Sequence, residues 1–208
     1  MKNEVINICI VFNDSDGEYT KKCFPTIFSV LENNKKEKLR CYFICKGLKQ
    51  EYLDYLHKIF QSYNQEFHII DDFWEKEYLI DFFQENNTSS WNYGIFFKLL
   101  IPFLLPSDVK KVINFDSDDV IVNWSLREMW DINLWKKLIA SVQGFQNKTW
   151  KNKLGLPNPI FRVGGNVYNL EALRSYDFEK EFKKIIGEYG KRLTTPESDI
   201  LNIFCNDK

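Results

Sequence analysis

The chain has 208 residues with a formal net charge of −1, and 44% of its residues are hydrophobic. This length and composition suit one globular α/β domain with a single sizeable core. The charge balance provides neither the basic surface that nucleic acid requires nor a polybasic arm for an anionic membrane, which argues against nucleic-acid binding and against electrostatic membrane anchoring.

The N-terminus, the longest apolar stretch and the cysteines bear on location. The first residues enter a strand-like run without the apolar core and cleavage site of a signal peptide, which predicts a cytoplasmic protein, at most at the inner face of a membrane. The longest apolar stretch, residues 95–105, is interrupted by Lys98 and Pro102 and is too short for a transmembrane segment, so any membrane contact would be peripheral. The five cysteines include no CxxC pair, which indicates free thiols.

Strand-like and helix-like patterns alternate through the first third of the chain. Residues 5–12 are nearly all apolar, as in a strand covered on both faces, and the polar residues 14–18 close this strand as a turn. Apolar residues at helical spacing predict a helix over 20–33. This alternation predicts a mainly parallel sheet built from right-handed crossovers. The later elements of the pattern are a strand at 39–45, a helix at 49–62 and a strand at 66–70.

Turn and helix-start signals punctuate the second half of the chain. The paired glycines Gly164 and Gly165 indicate either a tight turn or a close approach of a backbone or ligand. Thr194 and Glu197 have the spacing of a capping box, and with Pro196 they predict the start of a C-terminal helix. Other predicted elements are helices at 93–104 and 125–130 and a strand at 138–142.

Three acids follow directly after a short apolar strand: Asp116, Asp118 and Asp119. Open α/β sheets bind ligands beyond the carboxyl ends of their strands, so these acids lie where a ligand is expected. Three carboxylates within four residues repel one another unless a cation or several hydrogen-bond donors lie among them. Oxygen ligands favour Mg²⁺ or Mn²⁺, although a polar turn is the other interpretation, since Asp and Ser are common turn residues.

Four segments, in order and at about the expected spacing, resemble the retaining glycosyltransferases of family 8, which include bacterial lipopolysaccharide galactosyl- and glucosyltransferases and glycogenin. The segments are INICIVFNDSDGEYTKKCFPTIFSVLENN, FFKLLIPFLLPSDVKKVINFDSDD, FRVGGNVYNL and ESDILN. The resemblance covers nearly all of residues 1–208. It implies one GT-A-like α/β domain with a mixed, mostly parallel sheet flanked by helices.

The resemblance also implies a site for a UDP-sugar donor. Lys98 takes the basic position that faces the diphosphate in relatives, and Asp116 and Asp118 match the DxD pair that binds Mn²⁺ or Mg²⁺. Tyr19 offers a flat face for the base, although ordinary packing at a helix start would also explain it. The residues implied around the uracil and ribose are Phe12, Asn13, Asp16 and Tyr19, and the further implied donor contacts are Ser117, Arg162 and Gly164.

Two departures from the family pattern concern the metal. Asp119 stands where relatives usually have an apolar residue, so the second ligand could be Asp119, although we favour Asp118. Relatives usually take a third ligand from a histidine in a C-terminal segment, whereas this chain has only His57 and His68, which we predict to be structural. We therefore expect that the chain lacks that segment or that water and donor phosphates complete the metal shell.

Two further departures concern the transferred sugar. Arg162 replaces an asparagine that contacts this sugar in relatives, and Gly165 and Asn166 replace apolar residues. The predicted catalytic residues are Glu197, at an acid position near the sugar, and Ser198, which replaces a glutamine close to the anomeric carbon. Glu197 could instead be only a capping acid.

These residues predict metal-dependent, retaining transfer of a hexose from UDP-glucose or UDP-galactose to a glycan or lipid-linked glycan acceptor, such as bacterial lipopolysaccharide or surface polysaccharide. One alternative is a domain that binds a nucleotide sugar without transferring it, which the substitutions Arg162 and Ser198 favour. Another is a phosphohydrolase of the haloacid dehalogenase type with Asp116 as the nucleophile, although that class usually carries its DxD near the N-terminus.

Overall fold

The computed structural model describes residues 4–14, 17–86, 93–118, 120–144, 154–156, 160–206 and 208. Two acids discussed above, Asp16 and Asp119, lie outside these ranges. The strands are β1 (Ile6–Asn13), β2 (Leu39–Lys46), β3 (Glu66–Ile70), β4 (Lys111–Phe115), β5 (Ile139–Ala140) and β6 (Asn166–Asn169). The helices are α1 (Tyr19–Asn33), α2 (Gln50–Ser62), α3 (Trp74–Glu85), α4 (Phe97–Leu104), α5 (Arg127–Trp130), α6 (Leu170–Leu173), α7 (Phe178–Tyr189) and α8 (Pro196–Cys205).

The strands of the described ranges form a six-stranded sheet in the order β3-β2-β1-β4-β6-β5. The first four strands of the chain run parallel, whereas β6 is antiparallel to β4 and β5 is antiparallel to β6. Asn114 near the end of β4 lies opposite Asn166 at the start of β6. The ends of β1 and β4 therefore share one sheet edge with the turn that precedes β6.

Alternating side chains of the central strands enter two hydrophobic clusters, one on each face of the sheet. Cys9 and Val11 of β1 join the cluster that includes residues of α3, α4, α7 and α8. Ile8 and Ile10 join the cluster on the opposite face, which includes residues of α1, α2 and α5. The domain is thus a three-layer α/β structure, and the predicted mixed, mostly parallel sheet flanked by helices is confirmed.

The predicted elements of the first third agree with the structure to within one residue at each end. Later elements differ more. A 3₁₀ turn, Tyr93–Phe96, replaces the first part of the predicted helix, and β5 covers only two residues of the predicted strand. The helices α3, α6 and α7 were not predicted, although Asp177 before α7 carries a recognisable cap signal: its carboxylate accepts the backbone N–H of Lys180 at 3.2 Å.

The predicted capping box at the start of α8 is wrong. The N-cap residue is Thr195, and the carboxylate of Asp199 accepts the backbone N–H groups of Thr194 and Thr195 at 2.7 and 3.1 Å. Asp199 performs the task that the capping box assigned to Glu197. The Glu197 carboxyl instead lies near the backbone N–H groups of Glu197 and Ser198 in the first turn of α8.

Polar side chains of α1 hold the extended segment 120–126 that follows the acids. The Thr26 hydroxyl donates to the Val120 carbonyl at 2.7 Å, and the Asn34 side chain accepts the N–H of Leu126 at 2.6 Å. Thr26 and Asn34 are both 1% exposed. Buried hydrogen bonds of this kind are costly to leave unmade, so α1 fixes the path of the chain after β4.

Replacing Asn34 with alanine should lower the free energy of unfolding by about 1–3 kcal/mol, because the buried N–H of Leu126 would lose its acceptor. Urea denaturation of the two proteins measures this difference. Asn86→Ala, which removes an exposed side-chain hydrogen bond at the end of α3, is the control and should cost less than about 0.5 kcal/mol. Equal losses in the two variants would contradict the assigned role of Asn34.

Candidate active site

The carboxylate of Asp116, the first residue after β4, lies at the centre of the candidate site. Lys98, in the first turn of α4, donates from Nζ to Asp116 Oδ1. The Lys98 and Asp116 side chains are only 14% and 21% exposed. Because both charges are largely removed from water, each depends on the other for its stability.

Gly164 forms the opposite wall of this site. Its φ of +139° is a conformation that residues with a side chain rarely adopt, and a Cβ atom at this position would overlap the Asp116 carboxylate. The paired glycines were interpreted as a tight turn or as a close approach of another group. Gly164 shows a close approach, and the group that approaches it is the Asp116 side chain.

Tyr19 connects the turn after β1 with the acids after β4. Its hydroxyl lies 3.2 Å from Ser117 Oγ, and Ser117 is buried. Burial raises the pKa of Tyr19, a hydrogen bond to Ser117 opposes this increase, and the nearby Asp118 carboxylate adds to it. Tyr19, Ser117 and Asp118 are thus brought together, as the family resemblance implied.

Asp14 organises the same turn and was not among the predicted site residues. It is 1% exposed, and its carboxylate accepts the backbone N–H of Tyr19 at 2.6 Å and the hydroxyl of Thr20. The Asp14 N–H in turn donates to the Lys46 carbonyl at 2.9 Å. The available sequence signal was an aspartate shortly before a helix start, where carboxylates commonly accept backbone N–H groups.

Phe12 and Asn13 occupy different environments. The Phe12 side chain is 3% exposed and packs edge-on against Phe43 at a ring separation of 6.5 Å, so only its backbone is left to contact a donor. Asn13 ends β1 on the same sheet face as Val11 by strand alternation, and its side chain is partly exposed. The two histidines contact aromatic rings outside the site: His57 packs against Phe67 at 4.8 Å, and His68 stacks on Tyr42 at 5.2 Å.

Glu197, in the first turn of α8, belongs to the same charge cluster as Lys98 and Asp116. Its Oε2 atom is buried without a hydrogen-bond partner among the described residues. Burial raises the pKa of Glu197, Lys98 and the backbone N–H groups of Glu197 and Ser198 oppose this increase, and the Asp116 carboxylate adds to it. A carboxyl in these surroundings holds its proton to higher pH than an exposed glutamate.

Asn202 of α8 contacts Phe161, the residue before Arg162, and the Ser198 backbone. The Asn202 side chain bonds both the N–H and the carbonyl of Phe161, at 2.8 and 3.0 Å, and donates to the Ser198 carbonyl at 2.9 Å. Ser198 is 7% exposed, whereas the Arg162 side chain is exposed. Asn202 therefore ties the chain before β6 to α8.

The oxygen donors at the sheet edge are compatible with a hard divalent cation. Asp116 and the exposed Asp118 provide two carboxylates that are separated in the sequence by Ser117. Within the described ranges, no group of three or more His, Cys, Asp or Glu side chains could hold a metal. A pair of carboxylates matches the way proteins bind Mg²⁺, which keeps several waters and substrate phosphates in its shell.

We expect Glu197→Gln to stabilise the protein increasingly as pH rises from about 4 to about 8. The raised pKa of Glu197 means that the folded state binds its proton more tightly than the unfolded chain, so the wild type loses stability as pH rises through the folded-state pKa. Glutamine carries no such penalty. The measurement is the free energy of unfolding by urea across this range.

Glu85→Gln, at an exposed position in α3, is the control for this experiment. The difference in free energy of unfolding between Glu85→Gln and the wild type should change little with pH. If the difference for Glu197→Gln is equally independent of pH, the pKa of Glu197 is not raised in the folded protein.

The fold is similar to that of several solved glycosyltransferases. The galactosyltransferase LgtC, solved in complex with donor and acceptor sugar analogs, superimposes with a TM-score of 0.82 at 20% identity over 97% of this chain and 71% of that chain. Mouse xyloside xylosyltransferase 1 gives a TM-score of 0.71 at 15% identity over 98% of this chain and 82% of that chain. These similarities confirm the predicted GT-A fold.

Sequence comparison gives the family. The UDP-glucose:glycoprotein glucosyltransferase of Drosophila melanogaster is 24% identical over 191 residues, which are 88% of this chain and 11% of that protein, so the chain spans only a small part of this curated relative. Residues 9–208 match the model for glycosyl transferase family 8. Since this match includes nearly the whole sequence and all of the site described above, the chain belongs to glycosyltransferase family 8.

Proposed function

We propose that the chain transfers a hexose from a UDP-sugar, UDP-glucose or UDP-galactose, to a glycan acceptor with retention of the anomeric configuration. The observation that carries this proposal is the meeting of Asp116, Lys98 and Gly164 at the sheet edge beside Tyr19. Family membership supplies the reaction class, glycosyl transfer. It leaves the phosphohydrolase alternative without support.

The order of the strands suggests how the donor would lie. The uracil and ribose would contact the end of β1, near Asn13 and Tyr19, and the diphosphate would lie over Asp116 and Asp118 after β4. The sugar would continue toward the turn at Gly164 and the start of α8 at Glu197. This direction follows the sheet order β1-β4-β6 and uses the usual ligand edge of an α/β sheet.

Asp116 and Asp118 would hold Mn²⁺ or Mg²⁺, which would neutralise the charge that develops on UDP as the sugar leaves. Lys98 can supply a second positive charge at the same place, because its ammonium group already contacts Asp116. Both contributions favour breakage of the bond between the anomeric carbon and the diphosphate oxygen.

Retention fits the scarcity of strong bases in the site. The acceptor hydroxyl would attack from the face that the diphosphate leaves, form the new bond to the anomeric carbon and give its proton to the departing phosphate oxygen. No described histidine lies at the site, which fits a reaction in which the departing phosphate takes the proton.

A second candidate function is donor binding without transfer. Ser198 supports it, because it is buried and has no side-chain amide to present at the position near the anomeric carbon that the family resemblance implies. The two candidates share the same donor site. They differ only in turnover.

Calorimetric titration of UDP should show binding that is at least about tenfold tighter with Mn²⁺ than without it, because the cation couples the donor phosphates to the acids. Asp116→Asn should abolish this increment. Asp108→Asn, an exposed acid before β4 at the opposite sheet edge, should leave it intact. Equal UDP affinity with and without Mn²⁺ would contradict the metal assignment, and no UDP binding would contradict the donor site.

Turnover separates transfer from binding alone. We expect slow hydrolysis of UDP-glucose or UDP-galactose with Mn²⁺. The hydrolysis rate should fall by about 100-fold or more in Asp118→Asn, because this change removes a group that stabilises the charge developing on UDP. Release of UDP is the readout. Metal-dependent UDP binding without hydrolysis or transfer to any glycan acceptor would favour the binding function.

A further inference from the structure

We propose that Arg162 binds the carboxylate of an acidic donor sugar, so that the preferred donor is a UDP-hexuronic acid and not a neutral UDP-hexose. This inference rests on the proposed UDP-sugar site and changes only the sugar that the site prefers, from a neutral hexose to a hexuronic acid. Three properties of Arg162 support it: a fixed backbone, an unpaired guanidinium and a position at the sugar end of the site.

The backbone around Arg162 is held on both sides. Its N–H donates to the Val142 carbonyl at 3.2 Å, and its carbonyl accepts the Ser141 hydroxyl at 2.8 Å. The preceding residue, Phe161, is bonded by the Asn202 side chain through both its N–H and its carbonyl. The Arg162 side chain therefore extends from a fixed point, which reduces the entropy lost when a ligand binds.

The Arg162 guanidinium is exposed and has no ion pair or hydrogen bond with any described residue. Other described arginines are engaged: Arg40 pairs with Glu66, Arg127 pairs with Glu37, and Arg174 donates to several backbone carbonyls. A guanidinium has five donors in a planar fork that matches a carboxylate. At Arg162 this fork is free to receive a ligand.

The sheet order distinguishes a sugar carboxylate from the diphosphate as the ligand. The uracil end of the proposed site is at β1, the acids follow β4, and Arg162 precedes β6, on the far side of Asp116 from Tyr19. Its Cα can be no more than about 7 Å from that of Gly164, which contacts the Asp116 carboxylate. This geometry points Arg162 to the sugar, beyond the phosphates.

The test compares the binding of UDP, UDP-glucose, UDP-galactose, UDP-glucuronic acid and UDP-galacturonic acid with Mn²⁺. At least one uronic acid donor should bind roughly 10- to 100-fold more tightly than the neutral donor of the same configuration, which is the usual range for a hydrogen-bonded charge pair. Arg162→Asn should remove this preference and leave UDP affinity unchanged. Arg162→Lys, which keeps the charge but loses the fork, should retain part of it.

Lys136→Asn is the control, because it removes one exposed positive charge at the opposite edge of the sheet. It should change the preference by less than about twofold. A preference lost equally in Lys136→Asn and Arg162→Asn would show general electrostatic attraction, and the specific role of Arg162 would be wrong.

Two other results would overturn the inference while leaving the proposed function intact. The first is metal-dependent UDP binding with no preference for either uronic acid donor. The second is a loss of UDP affinity in Arg162→Asn as large as the loss for the uronic acid donors, which would assign Arg162 to the diphosphate. If UDP itself does not bind the wild type, the donor site and this inference both fail.

Discussion

The ion pair between Lys98 and Asp116 is the contact on which the site depends. It joins α4 to the end of β4, and neither group is well hydrated. Removing one partner would leave a poorly solvated charge, a change that commonly costs several kcal/mol. Gly164 and Glu197 complete the surroundings of this pair, so that residues from four separate parts of the chain determine the properties of one carboxylate.

The elements around this pair are held by buried polar contacts as well as by the two hydrophobic clusters. Asp14 fixes the turn after β1, Asn34 fixes the segment after the acids, and Asn202 fixes the chain before β6. Each of these side chains bonds backbone groups that would otherwise be unsatisfied. The three loops at the sheet edge are consequently positioned by residues that would not themselves contact a donor.

Charge is distributed unevenly along this edge. Asp116 and Asp118 follow β4, where they would hold a metal beside the donor diphosphate, whereas the segment just before β6 carries the exposed cation of Arg162. Glu197, beside Lys98 and Asp116, has a raised pKa and binds its proton more tightly than an exposed glutamate. A donor that is anionic at both its phosphates and its sugar matches this distribution.

The sequence by itself determined the early strand and helix alternation, the acids after β4 and the family, because these depend on local periodicity and on motifs of adjacent residues. Only the tertiary structure decided that Lys98 pairs with Asp116, that Phe12 packs in the core and that Asp199 caps α8. The first two depend on which side chains distant segments bring together, and the third on which of two nearby acids reaches the N–H groups of Thr194 and Thr195. Spacing along one sequence does not contain that information.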